Sequence, residues 1–159
     1  MRRHRELSNG APFRVERRRA QHSDLPFLEE VHVAALGPVA LVGYGWPAIK
    51  LRAQFRAEID VTNCHVISVD GRRAGYISIE DRDTYWYIDA IAMGRNYQGK
   101  GIGTLVLRDV LSEAGMRAVR LNVLHVNRAR ELYERLGFRV IRRDEQRQVM
   151  EWRADAAGS

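Results

Sequence analysis

Met93-Gly94-Arg95-Asn96-Tyr97-Gln98-Gly99-Lys100-Gly101-Ile102-Gly103-Thr104 is the stretch that decides how this chain is read. Before it, Thr84 to Met93 has the composition of a strand. After it, a helix is predicted from about Gly101 to Ala114, with Gly115 as its C-terminal cap. Gly99, Gly101 and Gly103 therefore strip side chains from the point where a helix begins. Glycine there costs helix propensity, so three at alternate positions need a cause. One cause is an anion site. Successive backbone N–H groups converge on one ligand, aided by the positive end of the helix dipole. The dipole contributes ~0.3–2 kcal/mol and each N–H bond to a charged phosphate ~1.5–3 kcal/mol, enough to anchor a diphosphate. The other cause is a close helix–sheet contact that leaves no room for a Cβ.

Two common phosphate loops fit poorly. Gly94-x-x-x-x-Gly99-Lys100-Gly101 has glycine where a Walker A loop needs Ser or Thr to hold Mg²⁺. Thr104 stands where a dinucleotide fingerprint has its third glycine, and Leu121-Asn122-Val123-Leu124 offers no acidic ribose ligand.

Working outward, Phe13 to Arg19 alternates apolar and charged residues and reads as a half-buried strand. Ser23 or Asp24 caps a helix with Pro26 in its first turn and an inward stripe of Leu25, Leu28, Val31, His32, Ala35 and Leu36; Gly37-Pro38 is expected to stop it. On that stripe His32 reads as a core histidine. Val39 to Pro47, broken by Gly43, Gly45 and Pro47, reads as a loop, and a second helix spans Ala48 to about Ile59. Strands follow at Cys64–Val69 and Gly75–Glu80, joined by the hairpin turn Asp70-Gly71. Arg117 to Leu124 is a strand. Asn127 caps a helix burying Ala129, Leu132, Tyr133 and Leu136, closed by Gly137, and Phe138–Ile141 with Gln148–Trp152 form a last antiparallel pair. The order predicts an α+β fold: a mixed, mainly antiparallel sheet of six to seven strands flanked by about four helices.

The 159 residues suit one domain, and 45% hydrophobic with 29% charged residues is globular composition. No apolar run approaches the ~20 residues of a membrane span, and no apolar segment follows the basic start, so neither a span nor a secretory signal is expected. Cys64 is the sole cysteine, and no Cys/His cluster has metal spacing. A cytoplasmic protein without a metal is expected. The net charge of +6 is almost wholly arginine, the only lysines being Lys50 and Lys100. A solvated basic surface accounts for it, with an acidic partner as the alternative.

The pattern that fits fully is Gln98-x-x-Gly101-x-Gly103. Together with Leu121-Asn122-Val123, Asn127, and Tyr133 ahead of Leu136-Gly137-Phe138, it resembles the second half of the GNAT-type N-acetyltransferases in order and spacing. The likeness covers residues 84–141 in detail and 13–83 by element order. It implies residues 13–153 as one acetyltransferase-like domain between a loose basic tail (1–12) and a short C-terminal tail (154–159). It further implies a strand that splays from its neighbour, so that Ile91-Ala92-Met93 holds the pantetheine arm of acetyl-CoA, Ile91 and Met93 through their main chains. Gln98, Gly99, Lys100, Gly101, Ile102, Gly103 and Thr104 would meet the phosphates, though Lys100 reads equally as a solvated loop residue. Asn127 would contact the pantetheine, and Tyr133 would sit near the sulfur. Capping alone also explains Asn127, and core packing Tyr133.

Direct attack of an amine on the thioester needs a proton acceptor and a stabilised thiolate. Tyr133 is the candidate acid. Some relatives carry a glutamate at the position of Asn122, which cannot be a base, so Glu80 or Asp89 acting through water is the candidate. Two residues before Ile91, Asp89 is expected on the same strand face. Tyr44, Trp46, Tyr85 and Tyr87 are candidates for the acceptor pocket. The acceptor would be a small-molecule or protein amine, and a homodimer is left open. A non-catalytic acyl-CoA-binding module and an arginine-rich nucleic-acid binder are the rival readings; neither nucleic acid nor membrane is the expected partner.

Overall fold

The computed structural model describes residues 5–7 and 10–155. Eight strands form one sheet: β1 (Arg5–Glu6), β2 (Val15–Arg19), β3 (Cys64–Val69), β4 (Arg72–Asp81), β5 (Tyr85–Met93), β6 (Ala118–Leu124), β7 (Arg139–Arg143) and β8 (Arg147–Trp152). Their spatial order is β1-β2-β3-β4-β5-β6-β8-β7. Every neighbouring pair is antiparallel except β5 and β6, which run parallel. The helices are α1 (Leu25–Tyr44), α2 (Ala48–Glu58), α3 (Ile102–Ala114) and α4 (Ala129–Arg135). The α+β expectation holds, with one strand more than six to seven.

That strand is β1. Residues 5–7 were expected in a loose tail; instead Arg5 and Glu6 pair with β2 and Leu7 is buried. The rest of that tail through residue 4, with residues 8–9 and 156–159, lies outside the described residues. The arginines here are also not simply solvated. Arg17, 4% exposed, reaches from β2 to α3, where its Nη2 donates to Asp109 (2.8 Å) and Glu113 (2.5 Å). Arg5 adds a 2.7 Å pair to the same Asp109. A charge so deeply placed requires such compensation.

The sheet separates two cores. On one face α3 buries Ile102, Val106, Leu107 and Val110 against Val15, Ile67, Ile77, Val119 and Met150. On the other, Leu28 and Val31 of α1 and Phe55 of α2 pack on Cys64, Val66, Tyr76 and Ala92. His32 is a core histidine, as read: its Nδ1 lies 2.6 Å from the Tyr76 hydroxyl, and burial pushes its pKa down to about 4.

α1 corrects the sequence reading. It does not stop at Gly37-Pro38 but runs 20 residues, through the stretch expected as loop. A proline inside a helix leaves the carbonyl four residues earlier without its donor. Here that residue is Ala34, and both Ala34 and Pro38 are exposed, so water can take the bond. The actual stop is Gly45, at φ 71°, where Gly45 N–H donates to Leu41 O (2.9 Å), the bond of an αL cap, and Trp46 N–H donates to Ala40 O (3.3 Å). With the short turn before it, the helical segment His22–Tyr44 is long and apolar enough, by length and composition, to cross a membrane, contrary to the expectation that no such stretch exists. In this fold its inner residues pack on the sheet.

Candidate active site

The site begins where β5 and β6 part. Their parallel ladder runs from Tyr85↔Ala118 to Ile88↔Leu121 and ends there; beyond it β5 pairs only with β4, and β6 only with β8. In an antiparallel pair, opposed residues alternate between hydrogen-bonded and non-bonded. Gly94 N–H donates to Ala74 O at 2.7 Å, so two residues back Ala92 is bonded toward Tyr76. The main-chain groups of Ile91 and Met93 consequently face the open side of β5. The splay leaves these groups without a strand partner.

Asp89 marks the same point. Ile79 pairs with Ile88 and Ser78 with Ala90, so Asp89 is an extra, unopposed residue. Ile88 and Ile91 both join the α3-side core although they are three apart. The bulge breaks the alternation on which Asp89 was expected to share a face with Ile91. Asp89 is solvent-exposed, and its carboxyl is held above the usual range by partial desolvation and by Glu58 and Glu80 nearby.

The loop after Met93 is built to present amides. Gly99 and Gly101 have φ of 72° and 79°, a conformation that favours glycine. A Cβ at either would meet nothing within 4 Å, and one at Gly103 only Leu132 Cδ2 at 3.8 Å. A tight helix–sheet contact therefore does not explain these glycines. The first bond of α3 runs from Leu105 N–H to Gly101 O, so the amides of Ile102, Gly103 and Thr104 precede it. Gln98 has a different task from the one expected: its Nε2 donates to Met93 O at 2.9 Å, and its N–H closes a turn onto Arg95 O. It ties the loop to the strand.

A cleft of ≈ 960 Å³ joins these parts. Ile91, Ala92, Met93, Gln98, Gly99, Gly101, Ile102, Gly103, Thr104, Asn127 and Tyr133 all line it. Asn127 is also the expected cap, its Oδ1 accepting from Ala129 N–H at 2.9 Å. Tyr133 is 6% exposed, its ring is 5.7 Å from that of Phe138, and its hydroxyl has no partner among the described residues. Burial pushes that phenol up to about 12. It is a polar group in a largely apolar stretch of the cleft lining.

Other candidates lie elsewhere. Lys100 is exposed and outside the lining. Tyr44 and Trp46 stack on each other at 5.1 Å, with Lys50 Nζ 4.6 Å from the Trp46 ring. Tyr85 and Tyr87 lie under the guanidinium groups of Arg120 (4.2 Å) and Arg82 (4.1 Å). Glu80 is bound to Arg82 at 3.2 Å. None of these, nor Asp89, lines the cleft. No group of three His, Cys, Asp or Glu side chains that could hold a metal occurs among the described residues.

The second wall is formed by α1: sequence reasoning had Ala35 and Leu36 on its inward stripe without assigning them to a cleft, and missed Val39 and Val42 because it ended that helix too early. It also missed Arg128 and Arg135 at the rim, indistinguishable by type from the chain's other arginines. Asn122 holds a further surprise: its Oδ1 is buried without a hydrogen-bond partner, one residue past the end of the parallel ladder.

A mixed sheet that splays after one parallel pairing, with an amide cradle at the splay, is the architecture of an acyltransferase-type fold. Solved structures share it: an acetyltransferase from Thermus thermophilus (TM-score 0.69, 17% identity, covering 88% of this chain and 97% of that one). So do the ribosomal-protein-S18-alanine N-acetyltransferase of Escherichia coli (0.68, 19%, 87% and 93%) and the PaiA N-acetyltransferase of Thermoplasma acidophilum, solved in complex with coenzyme A (0.64, 19%, 88% and 99%). No curated protein sequence matches. The profile of the acetyltransferase (GNAT) family matches residues 26–138, and the chain belongs to that family.

Proposed function

We propose that the protein is an acetyl-CoA-dependent N-acetyltransferase acting on a primary amine by direct attack. The observation that carries this is the coincidence, in one cleft, of the amide cradle at 99–104, the open edge of β5 and the unpartnered Tyr133 hydroxyl. The cradle and the rim arginines Arg128 and Arg135 suit the phosphates of coenzyme A, and the Ile91 and Met93 main chains suit the amides of its pantetheine arm. Acetyl-CoA supplies the activated acyl group.

The chain's own residues would do the rest. As the amine nitrogen bonds to the carbonyl carbon and the C–S bond breaks, Tyr133 would donate a hydrogen bond to the departing thiolate. A buried phenol near 12 holds its proton more tightly than a thiol near 8.5 does, so it stabilises by hydrogen bonding without transferring its proton. The amine proton would pass through water to Asp89, whose raised basicity suits a proton acceptor better than Glu80, already engaged with Arg82. Calorimetry with coenzyme A, followed by thiol release from acetyl-CoA with a panel of amines, tests the reading. Absence of coenzyme A uptake by folded protein would overturn it, and uptake without transfer to any amine would favour a binding module.

A further inference from the structure

We infer that the sheet face opposite α3, at its β6–β8–β7 end, docks an acidic polypeptide and thereby presents that polypeptide's amine at the splay. This rests on the N-acetyltransferase reading and names the class of acceptor. The face is defined by register. Glu80, Tyr87, Arg120, Glu151 and Arg139 are directly opposed in turn across β4, β5, β6, β8 and β7, so they share one side of the sheet. Asn122, Val149 and Arg142 form the next row, and Leu124 opposes Arg147. α1 and α2 pack over β3 to β5, and the last turn of α1 reaches the end of β6, where a Cβ on Gly43 would lie 2.8 Å from Leu124 Cδ1; β7 is largely exposed.

Charge divides along this face. At the β4–β5 end Asp89 lies near Glu58 of α2 and near Glu80, and with Glu80 paired to Arg82 the other two carboxylates remain for a cationic amine. Toward β7 the balance reverses. Glu151 is shared by Arg120 and Arg153, each at 2.7 Å. Among the described residues Arg147 has only the exposed Asp144 as ion-pair partner, at 3.7 Å. Arg139 and Arg142 are exposed and have no ion pair among the described residues. An acceptor complementary to both ends carries its amine at the splay and carboxylates beyond it.

Length makes it a polypeptide. β7 lies three strand spacings from β5, about 14 Å, which an extended chain spans in about four residues. Its carboxylates therefore belong about three to five residues from the amine-bearing one. A polynucleotide is disfavoured because the two tyrosines that could stack on bases are already covered by Arg82 and Arg120.

The test uses the full chain and three ten-residue peptides with the same amino-terminal residue, carrying acidic, neutral or basic residues at positions three to five. Peptide binding is followed by fluorescence anisotropy and transfer by thiol release. The acidic peptide should bind at least 10-fold tighter than the neutral one at low salt, with the gap closing as salt rises. The double variant Arg139→Glu, Arg142→Glu should abolish that preference while binding the neutral peptide and coenzyme A as before. Equal binding of all three peptides, an unaltered preference in the double variant, or displacement of the acidic peptide by an RNA oligonucleotide at equal concentration would each overturn the proposal. Because the readout is peptide binding, it stands apart from coenzyme A uptake, which tests the enzymatic reading.

Discussion

Gln98 and Met93 are joined by a 2.9 Å hydrogen bond from the side-chain amide to the main-chain carbonyl, which fastens the glycine loop to the strand that precedes it. The loop is thereby preorganised. Replacing Gln98 with alanine removes one neutral hydrogen bond, about 1 kcal/mol, and should weaken coenzyme A binding about 5-fold by calorimetry. Thermal stability should barely change, because the bond is at the surface.

Gly101 and Gly103 should fail differently. Alanine at Gly101 must adopt a φ near 79°, a strain on the order of 1 kcal/mol or more, so both unfolding temperature and coenzyme A affinity should fall. At Gly103 a Cβ makes only an ordinary contact with Leu132, so the fold should tolerate alanine. The methyl group would nonetheless stand among the first amides of α3, and affinity alone should drop. Thermal melts paired with calorimetry separate the two outcomes.

Tyr133→Phe keeps the ring that packs against Phe138 and removes only the hydroxyl. Turnover of acetyl-CoA should fall by about 10- to 100-fold, equivalent to ~1.4–2.7 kcal/mol of lost thiolate stabilisation. Coenzyme A binding should remain within about 2-fold. An unchanged turnover would remove Tyr133 from the chemistry.

Acid should destabilise the fold through two histidines. His32 is pushed down to about 4 by burial, and His65 likewise by burial and then by Arg17 and Arg19. Arg17 Nη1 lies 3.1 Å from His65 Nδ1, and since a guanidinium can only donate, the ring accepts there and is neutral. Between pH 4 and 6.5 the unfolded chain binds protons that the folded chain refuses, so stability is complete above about 6.5 and declines as pH falls toward 4. Each histidine contributes on the order of 1–3 kcal/mol over that window. The unfolding midpoint measured against pH should show this decline in the native protein. It should be shallower in His65→Gln, even though that variant starts less stable at pH 7.

Much of this was legible because it is local. Asp70-Gly71 turns a hairpin with φ of 49° and 81°, Gly115 ends α3, and Asn127 caps α4 by one side-chain bond, all set by neighbouring residues. α1 was misread because Gly37-Pro38 is a strong local stop. Its exposed position in the fold let the helix continue to Gly45, which added Val39 and Val42 to the second wall of the cleft. Asp89 was placed on the wrong face because a bulge is a property of two strands together.

The sequence by itself determined the cradle: which amides lack side chains in front of them, where the helix begins and what closes it. Those features depend on backbone preferences within a few residues. Only the tertiary structure decided where β5 and β6 separate, which arginines are buried against Asp109 and which stand free on β7, and that Tyr133 and the loop share one cleft. Each of these is a matter of register or packing between segments tens of residues apart, and no local preference specifies such a meeting.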